Sequence, residues 1–249
     1  MKQVIILLCV LSGFTVLHAQ DSLRLSQQRK NTIKLDITSH YLYRNALIVA
    51  YERITKPNQS FVVTAGYQEF PRSSSLGDGI VVKDDRKRNG YKFGGEYRFY
   101  LKKENKYLAP RGVYIGPYFT FLGFNNERTI TFDNDGTSAQ ADLDAKFSIV
   151  NIGFQLGYQF VIKNRWTIDL VFAGPSISHY RYNLDLTSSA NIDKEDIKNE
   201  VILDLIDRFP LLEDLIDDKE VSGRGKLDTW SFGYRYQLQV GYHFGRKKK

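Results

Sequence analysis

One cysteine and one methionine occur in the 249 residues. The cysteine, Cys9, falls inside an N-terminal segment that reads as an export signal. Lys2 provides a positive start, Val4 to Val10 with Leu11 form a short apolar run, and small and polar residues lead to Ala19. No small residues precede Cys9 as a lipoprotein signal would require. Residues 1–19 are therefore expected to be a signal peptide, and the processed chain to have no cysteine. An exported protein without disulfides must gain stability elsewhere, and closing a sheet within a membrane would provide it.

Long hydrophobic runs are missing as well. Beyond the leader no stretch of about 18 apolar residues occurs, which excludes a helical membrane protein. The negative mean hydropathy leaves a β-barrel open, because strand alternation hides an apolar band from any hydropathy window. Histidine is scarce: His40, His179 and His243 are the three beyond the leader, and without cysteine they do not build a transition-metal site. No cofactor or metal site is expected. The net charge of +7 raises a nucleic-acid reading. Export removes that partner, the basic residues sit mostly at turns and ends, and no basic and stacking cluster occurs, so no nucleic acid is expected.

Aromatics are abundant, with 16 tyrosines and 16 phenylalanines. From Trp230 to Phe244 every second residue is large and apolar: Trp230, Phe232, Tyr234, Tyr236, Leu238, Val240, Tyr242, Phe244. Between them stand Ser231, Gly233, Arg235, Gln237, Gln239, Gly241 and His243. This period of two is a strand with lipid outside and a packed polar lumen inside. Comparable stretches recur around Ile33, Leu47, Phe61, Phe93, Ile115, Phe154 and Ile168, giving eight in all. Short connections (56–60, 102–111 and 163–165) alternate with longer ones (71–88, 125–146 and 182–226), the link near His40 to Asn45 being the short exception. The expected fold is all-β: an eight-stranded antiparallel transmembrane up-and-down barrel with both termini periplasmic and a helical insertion in the last extracellular loop. Its parts are the signal peptide 1–19, a periplasmic segment 20–30, the barrel 31–245 with a long acidic loop 183–226, and a basic tail 246–249.

Certain phrases resemble a family. Asn31-Thr32-Ile33-Lys34-Leu35, Gly94 to Leu101, Gly112 to Tyr118 and the closing Gln239-Val240-Gly241-Tyr242-His243-Phe244 are similar to small OmpA/OmpX-type outer-membrane barrels. More narrowly, the chain resembles uncharacterised porin-like barrel proteins of Bacteroidetes. The family usually ends on an aromatic, whereas Gly245 and four basic residues follow Phe244 here. The resemblance implies a Gram-negative outer-membrane location, a closing strand presented to the barrel assembly machinery, and no assigned activity.

Glu52, Glu96, Arg98, Asp169 and Arg235 fall on inward positions, where opposite charges should pair and fill a narrow lumen. Trp166, Trp230, Phe232, Tyr242 and Phe244 are expected in aromatic girdles. In the long loop, Ile197, Val201 and Leu205 follow a helical period, and Leu212 and Leu215 continue it after Pro210. This face caps the barrel mouth or docks a protein partner or lipid. His179 follows Ser178, but adjacent strand residues face opposite sides, so no catalytic pair is expected and the chain is read as non-enzymatic. A monomeric structural or adhesive barrel in contact with outer-membrane lipids, including lipopolysaccharide, is the leading expectation. A small porin or lidded conduit for small or hydrophobic solutes is the alternative, and an envelope-lipid-modifying enzyme the third.

Overall fold

Alternation of period two becomes strand along most of the chain. The computed structural model describes residues 29–69, 81–134, 137–188 and 226–245. Ten strands and one helix follow one another there: β1 (Asn31–Asp36), α1 (Ile37–Leu42), β2 (Arg44–Lys56), β3 (Gln59–Glu69), β4 (Val81–Tyr100), β5 (Gly112–Asn134), β6 (Thr137–Ile162), β7 (Trp166–Ala173), β8 (Pro175–Ser188), β9 (Lys226–Tyr234) and β10 (Gln237–Phe244). Every pairing is antiparallel. Consecutive strands pair from β1 to β7, β7 pairs β10, and β10 pairs β1, so the sheet returns on itself as a ring. The closing ladder runs from Asn31 opposite Phe244 to Asp36 opposite Gln239. It removes the two sheet edges that an open strand array would leave.

Along the rim of short turns the ring is regular. Lys163 and Asn164, both with positive φ (49° and 54°), form the tight link from β6 to β7, and the Arg165 N–H donates to the Ile162 carbonyl at 3.0 Å. Positive φ at both central residues is the hairpin geometry whose twist matches the flanking strands. Asn tolerates it and Lys does not.

Toward the other rim the wall changes. The last quarter of β6 (from Leu156) pairs β7, whereas its earlier stretch from Ala141 to Gly153 pairs β8. β7 and β8 thus form one line stepped at Gly174, and β9 and β10 form a second line stepped at Arg235 and Tyr236. The Arg235 N–H donates to the Gly174 carbonyl, tying the two steps together at 2.8 Å. The alternation from Trp230 to Phe244 survives the step in parity, but not as one strand: β9 pairs β8, while β10 lies between β7 and β1. On the free side of β9 no described strand pairs with it. β1 has ended at Asp36, and α1 occupies that position.

The link near His40 to Asn45 is accordingly a helix rather than a simple turn. Asp36 caps it, its carboxylate accepting from the Ser39 N–H at 2.9 Å. The side chain of Thr38 then accepts from the Leu238 N–H at 2.7 Å, fastening the helix to β10.

Three of the long connections are shorter than their sequence suggested. β4 begins at Val81, β5 and β6 remain paired through Asn134 opposite Thr137, and β8 continues to Ser188 opposite Ala141. Residues 183–188, assigned to the acidic loop by composition, therefore belong to a strand. A backbone ladder needs no apolar outer face, so polar alternation such as Glu127-Arg128-Thr129 beside Asp142-Leu143-Asp144 extends it unnoticed. The signal peptide, residues 20–28, the expected helices of the acidic loop and the basic tail lie outside the described residues.

Replacing Lys163 by asparagine should stabilise the protein by about 1 kcal/mol, by relieving left-handed backbone strain. Urea unfolding of the detergent-solubilised protein would check it; an unchanged midpoint would count against the strain.

Candidate functional site

Inside the ring, the polar positions converge on one network. Lys34 on β1 reaches Glu52 of β2 at 2.7 Å and Asp169 of β7 at 2.6 Å. Arg98 on β4 crosses the lumen to the same Asp169 at 2.6 Å and holds Glu96 with Nε and Nη2 at 2.9 and 2.6 Å. Glu96 also accepts from the Gln155 amide at 2.8 Å and from Arg235. Arg235 donates to Gln237 at 2.5 Å, Gln237 donates to Asp36 at 2.6 Å, and Lys92 donates to Asp36 at 2.9 Å. Hydroxyls complete the carboxylate shells: Ser60 and Tyr100 donate to Glu52 at 2.6 and 2.9 Å, and Tyr114 donates to Asp169 at 2.6 Å. The Arg98 guanidinium lies over the Tyr114 ring, 4.2 Å from its centre.

The continuous system holds four cations (Lys34, Lys92, Arg98, Arg235) and four carboxylates (Asp36, Glu52, Glu96, Asp169). Equal numbers matter, because an unpaired charge in this interior would cost several kcal/mol. Arg98, Lys34 and Glu52 are almost wholly excluded from solvent. These side chains fill the ring's interior from several strands at once, as expected of a ring just wide enough to hold its own residues.

The five inward residues picked from the sequence all stand in this network. Lys34, Asp36, Lys92, Tyr100 and Tyr114 were not singled out, although the strand alternation already put each opposite the large apolar face of its strand. The aromatic positions divide between the rims: Trp166 stacks edge-on with Tyr242 at 5.5 Å near Phe244 at the short-turn end, while Trp230 and Phe232 stand exposed on β9. The loop face of Ile197, Val201, Leu205, Leu212 and Leu215 lies outside the described residues.

One further feature was not visible beforehand. Above the charge network the interior turns apolar: Ile48, Leu122, Ile149 and Leu184 are buried there, and Phe124, Phe147 and Tyr180 follow one another at 6.3 and 6.4 Å. A uniformly polar lumen was expected, and the inward residues of β5, β6 and β8 replace it with hydrophobic packing. As the strand parity implied, Ser178 points inward and donates to Asn151 at 2.7 Å, while His179 points outward to Asp228 at 2.5 Å. The pair stands on opposite sides of the wall and has no nucleophile–base contact. No group of acidic, histidine or cysteine side chains suited to a metal ion occurs among the described residues.

A family model covers residues 6–197, most of the chain. The chain belongs to the family described as protein of unknown function (DUF3575). Among solved structures, the crystal structure of Acinetobacter baumannii CarO is similar at a TM-score of 0.41 and 9% identity, over 89% of this chain and 99% of that one. No curated protein matches.

Within this DUF3575 protein, the balance of the network is open to a direct test. Lys34→Met leaves Glu52 and Asp169 short of a cation and should cost about 3–5 kcal/mol of unfolding free energy. Adding Glu52→Gln should recover part of the loss, with a coupling on the order of 1–3 kcal/mol. Strictly additive losses in urea titrations would show that the two side chains do not act as a pair.

Proposed function

We propose that the protein is an eight-stranded outer-membrane β-barrel without enzymatic activity, serving a structural or surface-contact role, with a lumen closed to solutes by its side chains. One observation carries the membrane reading: the ring is inverted relative to a soluble protein. Its buried interior holds the charged network, while Ile33, Leu47, Val63, Phe93, Phe119, Ile152, Phe154, Phe172, Phe232 and Val240 are exposed around its outside. Soluble monomers rarely expose so continuous an apolar surface. A closed antiparallel ring is also the strand arrangement that satisfies its backbone in hydrocarbon.

In this reading the short-turn rim, with both described chain ends, faces the periplasm, and the long strands β5, β6 and β8 project beyond the outer leaflet. Basic residues of the short turns, such as Lys56, Lys103 and Arg165, meet anionic phospholipid heads, and the projecting strands stand among lipopolysaccharide. The closing strand from Gln239 to Phe244 is the segment offered to the assembly machinery. The paired lumen favours this closed barrel over an open porin.

Planar-bilayer recordings test it. The wild-type protein should insert and pass no steady current, whereas Arg98→Ala combined with Asp169→Ala, which removes one pair and thins the plug, should give discrete conductance steps. Steady open-channel current from the wild type would overturn the closed lumen. A processed chain that stayed folded and monomeric without any amphiphile would overturn the membrane reading itself.

A further inference from the structure

The apolar part of the interior is not completely filled. A cavity of about 330 Å³ lies between the charge network and the outer rim. Leu122, Ile149 and Tyr180 line its greasy side, and Lys92 and Arg235 stand at its polar floor. We infer that this cavity binds a single-chain amphiphile with an anionic head, carboxylate or phosphate, admitted sideways from the membrane through the gap between α1 and β9. The inference rests on the membrane reading above and adds to it a ligand and a route.

Charge selects the sign of the head. The two cations at the floor keep 14% (Lys92) and 17% (Arg235) of their side-chain surface accessible. Their carboxylate partners, Asp36 and Glu96, keep 0% and 2%. Although the network is neutral as a whole and Asp36 also lines the cavity, the charged surface left accessible there belongs to the two cations. Arg235 Nε, itself sealed from solvent, has no hydrogen-bond partner among the described residues. A guanidinium beside an ammonium recognises carboxylate or phosphate through charge-assisted hydrogen bonds.

Size and access narrow the tail. The volume lies at the lower end of ordinary ligand sites, which suits one chain folded against Leu122 and Ile149 and excludes a two-chain lipid held entirely inside. The route follows from the stepped wall. Beside the cavity β9 has no described strand on its free side, and β2 pairs β1 only from Val49 onward, so among the described residues α1 is the element at that interval. Tyr234 and Tyr236 line the cavity and are yet 54% and 62% exposed on the outside, so the wall there is a single chain thick. On the same stretch, Leu42 of α1 is 48% exposed and also lines the cavity, which makes an apolar path continuous from the outer band to the interior.

The test uses the full processed protein in phosphatidylcholine vesicles with a hexadecanoic acid carrying a photoreactive diazirine in its chain. The expected result is saturable labelling that maps to peptides of α1, β9 and the inward face of β5. Labelling should be about tenfold weaker with the matching fatty alcohol, which keeps the tail and loses the charge. A matching lysophosphatidate distinguishes the two head groups: stronger competition by it than by unlabelled fatty acid assigns a phosphate ligand, and the reverse a carboxylate. In Lys92→Gln the labelling should fall about tenfold, and in Leu122→Trp, which fills the cavity, it should be lost. Non-saturable labelling spread around the outer band, or equal labelling by acid and alcohol, would overturn the inference, and the wild-type protein alone decides this. Heat-modifiable migration of the same vesicle samples reports insertion separately. Failure to insert would sink the membrane reading, whereas insertion without saturable labelling would sink only the ligand.

Discussion

A strand carries unpaired N–H and C=O groups along each edge, and in hydrocarbon there is no water to satisfy them. The closed ring of this protein leaves few such groups unpaired. The first strand bonds to the last, from Asn31 and Phe244 inward, and the sheet has no edge at that level. Once the ring is closed, side-chain alternation must send one face into a narrow interior. The polar positions of eight strand segments then meet whether or not they are compatible. They are compatible because four cations and four carboxylates share hydrogen bonds with Ser60, Tyr100, Tyr114 and three glutamines. Ring closure and charge balance are one problem seen from the backbone and from the side chains.

The constraint is met differently where the wall is stepped. At Gly174 and at Arg235 the two lines of strand change partners together, joined by a single backbone hydrogen bond. The change leaves β9 paired on one side only among the described residues. α1 stands on the other side, capped by the same Asp36 that closes the far end of the charge network. One carboxylate thus ends a strand, starts a helix and neutralises Lys92. Removing it would disturb wall and lumen at once, so the position of the gap is set by interior electrostatics as much as by the sheet.

The sequence conveyed the lower half of the ring well, because there both faces of each strand differ sharply in polarity. The parity of Trp230 to Phe244 and of Tyr91 to Leu101 was readable residue by residue, and it put Glu52, Glu96, Arg98, Asp169 and Arg235 inside. Lys34 and Lys92 alternated just as plainly, but a lysine on a strand is more often solvated and drew no notice. The upper half was less legible for a physical reason. Where the strands leave the apolar band, alternation loses its hydrophobic signature while the backbone ladder continues, so Glu127 to Asn134 looked like loop. Ile130, Leu143 and Leu184 were then not seen as inward-facing. A helix of six residues such as α1 is shorter than any periodicity can reveal.

The division of the interior into a charged floor and an apolar upper part bears on what the fold can do. A uniformly charged lumen would be a plug and nothing else. A uniformly apolar one would resemble an ordinary core, with no reason to keep a cavity. Here the cavity lies where the two meet, and Lys92 and Arg235 keep some accessible surface while the acids behind them are sealed. An arginine held by Glu96 and stacked over Tyr118, with 4.7 Å to the ring centre, is fixed in place without being fully enclosed. Such a cation presents a charge to a ligand at little cost in side-chain entropy, since its own partners have already ordered it. The same network that fills the ring's interior therefore pre-organises a cationic surface beside the cavity.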